Sequence, residues 1–270
     1  MTDKLKLMGV LAHPDDESLG MGGTLAKYAS EGIETYVVTA TRGERGRYGD
    51  LDEFPGFEGV GRMREAELRA ATNELGVKEV HVLDYMDGDL DKADPAEAVA
   101  KIVALIRQVR PHVIITFGPE GAYGHPDHIA ISQFTMAAVV SAADSDYKLP
   151  GSELLSHRVS KLYYMEWNPE KWAAYQAAFK DLKTTVDGVE RRATPWPDWV
   201  ITTIIDTNDH WHTAWRAISC HKTQMAVYDK LEDLSDKYHL SLWGSQEFYR
   251  VFSVVNGGRK RETDLFEGLR

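Results

Sequence analysis

The sequence predicts an α/β protein, a Rossmann-like parallel sheet with helices on both faces, followed by a less regular C-terminal lobe. Three observations carry this. Short apolar or β-branched runs alternate with stretches of helical periodicity as far as residue 145, the pattern of a layered α/β domain. One of these runs, His112-Val113-Ile114-Ile115-Thr116-Phe117, is apolar enough to be buried on both faces, as a central parallel strand must be. Beyond Glu166 the alternation gives way to a segment containing Trp167, Trp172, Trp196 and Trp199, punctuated by Pro169, Pro195 and Pro197.

The first strand is Leu7-Met8-Gly9-Val10-Leu11. A helix over 18–32 follows, with Leu19, Gly23, Ala26 and Ala29 at helical spacing and Gly32 as its stop. Thr35 to Ala40 is β-branched and makes the second strand. The loop expected over 42–61 is long for a plain connection, so Gly43-Glu44-Arg45-Gly46 is a candidate site rim as well as a candidate solvated loop. Strong helix formers fill 62–75, and Val80-His81-Val82-Leu83 is the third strand. Asp94 is placed to cap a helix over 95–110, whose Val99, Ile102, Val103 and Ile106 share one face. A loop over 118–128 succeeds the fourth strand, then a helix over 129–143 and a fifth strand over 161–165. A late strand over 201–205, a helix over 210–228 and a frayed polar tail after Asn256 complete the expected chain.

Composition narrows the function. The chain has 270 residues, enough for one substantial core, and a formal charge of −11, which would repel nucleic-acid phosphates and anionic lipid. The expected substrate is therefore a small molecule, with no nucleic acid or membrane as partner. No segment approaches the roughly 20 apolar residues of a membrane span, and a cytoplasmic protein is expected. Cys220 is the sole cysteine and is read as buried and inert, so any metal site must rely on His and carboxylate.

Two loops carry ligand-type chemistry. Ala12-His13-Pro14-Asp15-Asp16-Glu17 follows the first strand, and Tyr123-Gly124-His125-Pro126-Asp127-His128 follows the fourth. In a doubly wound sheet those strands are neighbours where the strand order reverses, so both loops should enter one crevice. A dinucleotide is disfavoured there, because Asp15, Asp16 and Glu17 would face its pyrophosphate and Gly20-Met21-Gly22-Gly23 does not spell the glycine fingerprint. Taken singly, each acid is more often a helix cap and each histidine a hydrogen-bonded surface group. Jointly, two imidazoles and a carboxylate suit a catalytic divalent metal, Zn2+ foremost and Fe2+ by the same donors. His13 and Asp16 supply two ligands, and ligand chemistry leaves the third open between His125 and His128.

The two loops resemble the signatures of the LmbE/PIG-L family of metal-dependent N-deacetylases. The likeness continues through Thr39-Ala40-Thr41-Arg42-Gly43-Glu44-Arg45-Gly46, similar to members acting on thiol glycosides, and through 64–76; His221-Lys222-Thr223-Gln224 is a further scattered match. By position, the resemblance implies that His13, Asp16 and His128 bind the metal and that Asp15 is the general base. It also implies that His125 stabilises charge or acts as acid, that Asp127 orients it, and that Arg64 and Tyr123 reach the substrate. Arg64 has a plainer alternative in pairing with Glu67, and Tyr123 in packing beside Pro126.

The implied activity is removal of an acetyl group from an N-acetylated amino sugar such as N-acetylglucosamine, or from its conjugate. Cleavage of a larger acyl amide and a non-catalytic metal-binding module are the alternatives. One deacetylase domain over 1–270 is expected, with 1–145 the metal-binding core and 146–270 the substrate lobe. The tryptophans there suit sugar stacking, core packing or a homo-oligomer interface. His221 is read as a helix-packing histidine, and Glu17 as a helix-terminal or supporting acid.

Overall fold

The computed structural model describes residues 4–179, 182–258 and 260–270. Its first half runs β1 (Lys6–Leu11), α1 (Asp16–Ser30), β2 (Glu34–Thr41), α2 (Gly56–Glu74), β3 (Glu79–Tyr85), α3 (Pro95–Val109), β4 (Val113–Phe117), α4 (Gly121–Gly124) and α5 (Pro126–Ala143). The second half adds β5 (Lys161–Glu166), α6 (Pro169–Phe179), β6 (Lys183–Val186), β7 (Val189–Arg192), β8 (Thr203–Asp206), α7 (Trp211–Cys220), α8 (Met225–Glu232), α9 (Asp236–Trp243) and β9 (Ser245–Ser253).

Seven strands form one sheet in the order β3-β2-β1-β4-β5-β9-β8, and β6 pairs only with β7. The strands from β3 to β5 in that order are parallel, which agrees with the expected doubly wound core. β1 is central: Leu7 lies opposite Thr35 of β2 on one side and Val113 of β4 on the other. Its residues from Leu7 to Leu11 are buried, because helices cover both faces. α1 and α2 pack with α7, while α3 packs with α5. Right-handed crossovers place those two groups on opposite faces, since the chain moves one way from β1 to β3 and the other way from β3 to β4.

Several boundaries differ from expectation. α2 begins at Gly56, so the long loop ends earlier; Gly56, Gly59 and Gly61 weaken the helical signal of its first turns. α5 begins at Pro126, whose fixed φ suits a first helical position. The helix expected over 210–228 breaks after Cys220 into a short 3-10 turn at Lys222–Gln224 and then α8. β9 is antiparallel to both β5 and β8, making the sheet mixed.

The tail after Asn256 is packed rather than frayed. Leu265 and Phe266 are fully buried, and Glu262 bridges to Thr203 beside β8. Cys220 is only half-buried, contrary to the sequence reading, with its thiol on the Arg216 carbonyl. Among the described residues, no helix is long and apolar enough to cross a membrane.

Candidate metal centre

β1 and β4 are adjacent, so the loops at their C-terminal ends meet. His13 Nδ1 lies 3.2 Å from His128 Nε2 and 3.8 Å from Asp16 Oδ2, while His128 Nε2 lies 3.6 Å from Asp16 Oδ1. Donors bound tetrahedrally at zinc distances stand roughly 3.3 Å apart; the two imidazole nitrogens match this, while Asp16 approaches each with a different oxygen at the longer 3.8 and 3.6 Å. His13 Nε2 points away from them, 3.1 Å from Asp127 Oδ2 and 3.1 Å from Asp87 Oδ1. A carboxylate on the second ring nitrogen is how metal-binding histidines are commonly oriented.

Each group is held by its element. The backbone N–H groups of His13 and Ala12 donate to Asp16 Oδ2, at 2.8 and 3.2 Å, folding the loop onto the first turn of α1. His128 stacks on Phe117 of β4 with ring centroids 4.0 Å apart. Asp127 is fully buried and accepts from the amides of Gly88 (2.6 Å) and Leu90 (3.1 Å). Burial opposes the charged form of His13, but hydrogen bonds to Asp127 and Asp87 and the charge of Asp16 raise its pKa to about 10. Burial moves the Asp16 pKa upward, opposed by His13 and reinforced by Asp15, and burial drives that of His128 well below the ordinary histidine value.

Two further donor groupings share His13. One joins it to His125 and His128, the other to Asp87 and Asp127, with the ligand atoms of each set within 4.8 Å of one another. The second uses the opposite ring nitrogen and a carboxylate already anchored by two amides, so it better suits orientation of His13. Asp87 was not singled out from the sequence; it stands after β3 among Asp84, Asp89 and Asp91, with no histidine beside it to mark it.

The remaining expected residues line one cavity of about 550 Å³: Asp15, Arg64, Tyr123 and His125 join His13, Asp16 and His128 in its wall. Asp15 has φ of 107°, a left-handed conformation costly for a side chain other than glycine. Glu17 accepts the Asp15 amide at 3.0 Å and helps hold that conformation. Glu17 is itself fully buried, with Ser18 Oγ at 2.5 Å and His221 Nε2 at 2.7 Å. His221 is thus a buried ion-pair partner rather than only a packing residue. Burial works against both charges, but mutual attraction lowers the pKa of Glu17 and raises that of His221.

Arg64 is buried, donating to the carbonyls of Pro14 (2.6 Å) and Gly43 (2.9 Å), with Nη2 3.3 Å from Asp15 Oδ2. Its alternative partner Glu67 instead accepts from Thr223. Asp127 does not orient His125 through its carboxylate, which serves His13. Its backbone N–H donates to His125 Nδ1 at 3.2 Å, because His125 is the N-terminal cap of α5. Burial, helped by the charge of His13, depresses the His125 pKa to about 4. The tryptophans separate: Trp167 lines the cavity, Trp172 is buried and stacks on Trp167, Trp196 packs at a tilt against Tyr249, and Trp199 is 84% exposed.

A mostly parallel sheet carrying histidines and carboxylates into a cavity where its strand order reverses defines an α/β protein with a candidate metal centre. The chain belongs to the LmbE/PIG-L family. A match to the family described as PIG-L, GlcNAc-PI de-N-acetylase, spans residues 8–139. A 1D-myo-inositol 2-acetamido-2-deoxy-alpha-D-glucopyranoside deacetylase from Streptomyces griseus is 35% identical, the alignment covering 98% of this chain and 89% of that protein. A mycothiol S-conjugate amidase from Streptomyces coelicolor is 32% identical over 100% of this chain and 99% of its own. Among solved structures, a conserved protein of Thermus thermophilus has a TM-score of 0.66 at 25% identity, covering 94% of this chain and 97% of that one.

Proposed function

We propose that this protein is a metal-dependent hydrolase that removes the acetyl group from an N-acetylated amino sugar, specifically an N-acetylglucosamine conjugate. The observation that carries this reading is the convergence of His13 Nδ1, His128 Nε2 and the Asp16 carboxylate beside Asp15 on one cavity wall. The full-length likeness to the Streptomyces griseus deacetylase supports the substrate class.

His13, Asp16 and His128 would hold a divalent cation, with zinc preferred and iron(II) suited to the same donors. Such an ion, when bound, supplies Lewis acidity and makes water acidic enough to ionise near neutral pH. Asp15 accepts the proton of the attacking water as its oxygen adds to the amide carbonyl carbon. His125 Nδ1 accepts the Asp127 amide proton, so in the neutral ring Nε2 carries the hydrogen and can donate to the developing oxyanion. Asp15 then returns its proton to the departing nitrogen as the C–N bond breaks, leaving acetate and a free amine. Asp127 and Asp87 fix the His13 ring. Arg64 and Tyr123 would contact the substrate, and the 146–270 lobe would contribute the wall formed by Trp167, Tyr175 and Leu182.

Release of amine from 1D-myo-inositol 2-acetamido-2-deoxy-α-D-glucopyranoside, lost with a chelator and restored by zinc, is the expected result. Turnover that survives complete metal removal, confirmed by elemental analysis, would overturn the mechanism. A second reading, cleavage of a larger acyl amide, draws support from the Streptomyces coelicolor amidase and from the size of the cavity. Repeating the assay across acyl groups of increasing size ranks the two. A purely metal-binding role is disfavoured because Asp15 and His125 are both present at the centre.

A further inference from the structure

Glu166, at the C-terminal end of β5, takes no part in the mechanism above, yet it lies close to the cavity. Its side chain is 6% exposed, and Oε1 has no hydrogen-bond partner among the described residues. It lines a smaller cavity of about 40 Å³ together with Glu120. The small cavity shares Gly20, Phe117, Ala122 and Trp167 with the large one, so the two adjoin. Room for the carboxyl depends on Gly118, whose absent Cβ would stand 2.1 Å from Glu166 Oε1. Trp196 Nε1 donates to Glu120 Oε1 at 3.0 Å, fixing the second carboxyl.

A buried oxygen left without a donor is destabilising, a penalty that a ligand hydroxyl would relieve. Burial, then the neighbouring Glu120, pushes the Glu166 pKa up to about 10, so the two carboxyls are not both charged and Glu166 Oε1 remains an acceptor. That disfavours a divalent ion, and beside the apolar walls at Phe117, Met165 and Trp167 only Thr194 adds a side-chain oxygen, far short of the roughly six to eight that a calcium ion takes.

We propose that Glu166, supported by Glu120, forms a subsite for one hydroxyl or hydroxymethyl group of the polyol joined to the N-acetylated sugar. The subsite rests on the deacetylase reading for its occupant and sets specificity without touching the scissile bond. Lined by an acid that needs a hydrogen-bond donor and by the face of Trp167, it discriminates between a conjugate and the free amino sugar.

The test compares Glu166→Gln and Glu166→Met using the inositol conjugate above and free N-acetylglucosamine. The ratio of kcat/KM, conjugate over free sugar, should fall about tenfold in Glu166→Met, carried by KM, and stay within about twofold in Glu166→Gln, which keeps the acceptor. An unchanged ratio in Glu166→Met would mean the oxygen is satisfied by water alone and would overturn the subsite. So would a conjugate KM that depends on added calcium, the mark of a cation site. Should wild type deacetylate neither compound, the activity reading fails separately. Calorimetric binding of the deacetylated inositol conjugate to wild type and Glu166→Met then decides the subsite, with about tenfold weakening expected and equal affinity overturning it.

Discussion

Asp15 and Asp16 are adjacent in sequence but differ in setting. Asp16 is a helical residue tied to the His13 amide, whereas Asp15 sits in a left-handed conformation that turns its carboxylate toward Arg64 and the cavity. Their proposed roles therefore separate under mutation. Asp15→Asn should keep the metal, measured by elemental analysis, while kcat falls by roughly 100-fold to 10,000-fold. His13→Ala should lose both metal and turnover. Full activity in metal-loaded Asp15→Asn would remove Asp15 as the base. The assignment of His125 is equally a matter of single atoms: the cap it gives α5 fixes which ring nitrogen carries hydrogen, a detail no spacing rule could supply.

Among the elements, the loop after β2 has the clearest structural purpose. Gly43 and Gly46 enclose the Arg64 guanidinium so closely that an added Cβ would lie 2.0 and 2.3 Å from Nη1, and Gly43 also has φ of 68°. The loop is thus the cradle of a cation that supports Asp15. Gly43→Ala should cost at least about 2 kcal/mol in urea unfolding, through both backbone strain and displacement of a buried arginine. A variant as stable as wild type would show that the loop yields easily. The strands beside the site were legible because β4 is apolar or β-branched throughout and β1 and β2 are so apart from Lys6, Gly9 and Glu34. β9 was not, since Gln246, Glu247 and Arg250 interrupt its pattern with polar side chains that meet Gly20, Lys171 and Glu262 in other segments. Asp87 stayed hidden for a related reason: only the tertiary fold, which carries the loop after β3 past β2, brings it to His13.

Across the whole molecule, the C-terminal segment is bound to the sheet through Glu262. Its carboxylate accepts from Lys161 Nζ (2.7 Å), Tyr163 Oη (2.8 Å), Thr203 Oγ1 (2.9 Å) and Asn256 Nδ2 (2.6 Å). Burial alone would raise its pKa, but hydrogen bonds from Lys161, Asn256 and Tyr163 hold it down to about 2. A depressed carboxyl adds stability above its unfolded pKa of about 4.3, and that stability is lost as pH falls toward 2. Wild type should therefore lose stability steadily over that range in denaturant titrations. Glu262→Gln should be weaker at pH 7 and flatter below pH 4, and parallel curves would exclude Glu262 as the source. The sequence reading treated this segment as frayed because polarity was weighed without its buried Lys161 partner, itself masked inside a strand.

The place of β9 between β5 and β8 has a consequence for how the protein is made. Synthesis delivers β8 nearly forty residues before the strand that joins it to the sheet, as the sequence positions 206 and 245 require. On the ribosome, the β1 to β4 core and the two loops proposed to hold the metal can form while β5 still presents an open edge. Such an edge is a template for pairing with other chains. β9 therefore seals the sheet, and the wall that holds Trp167 and Glu166 is completed only once residues 245–253 have been made.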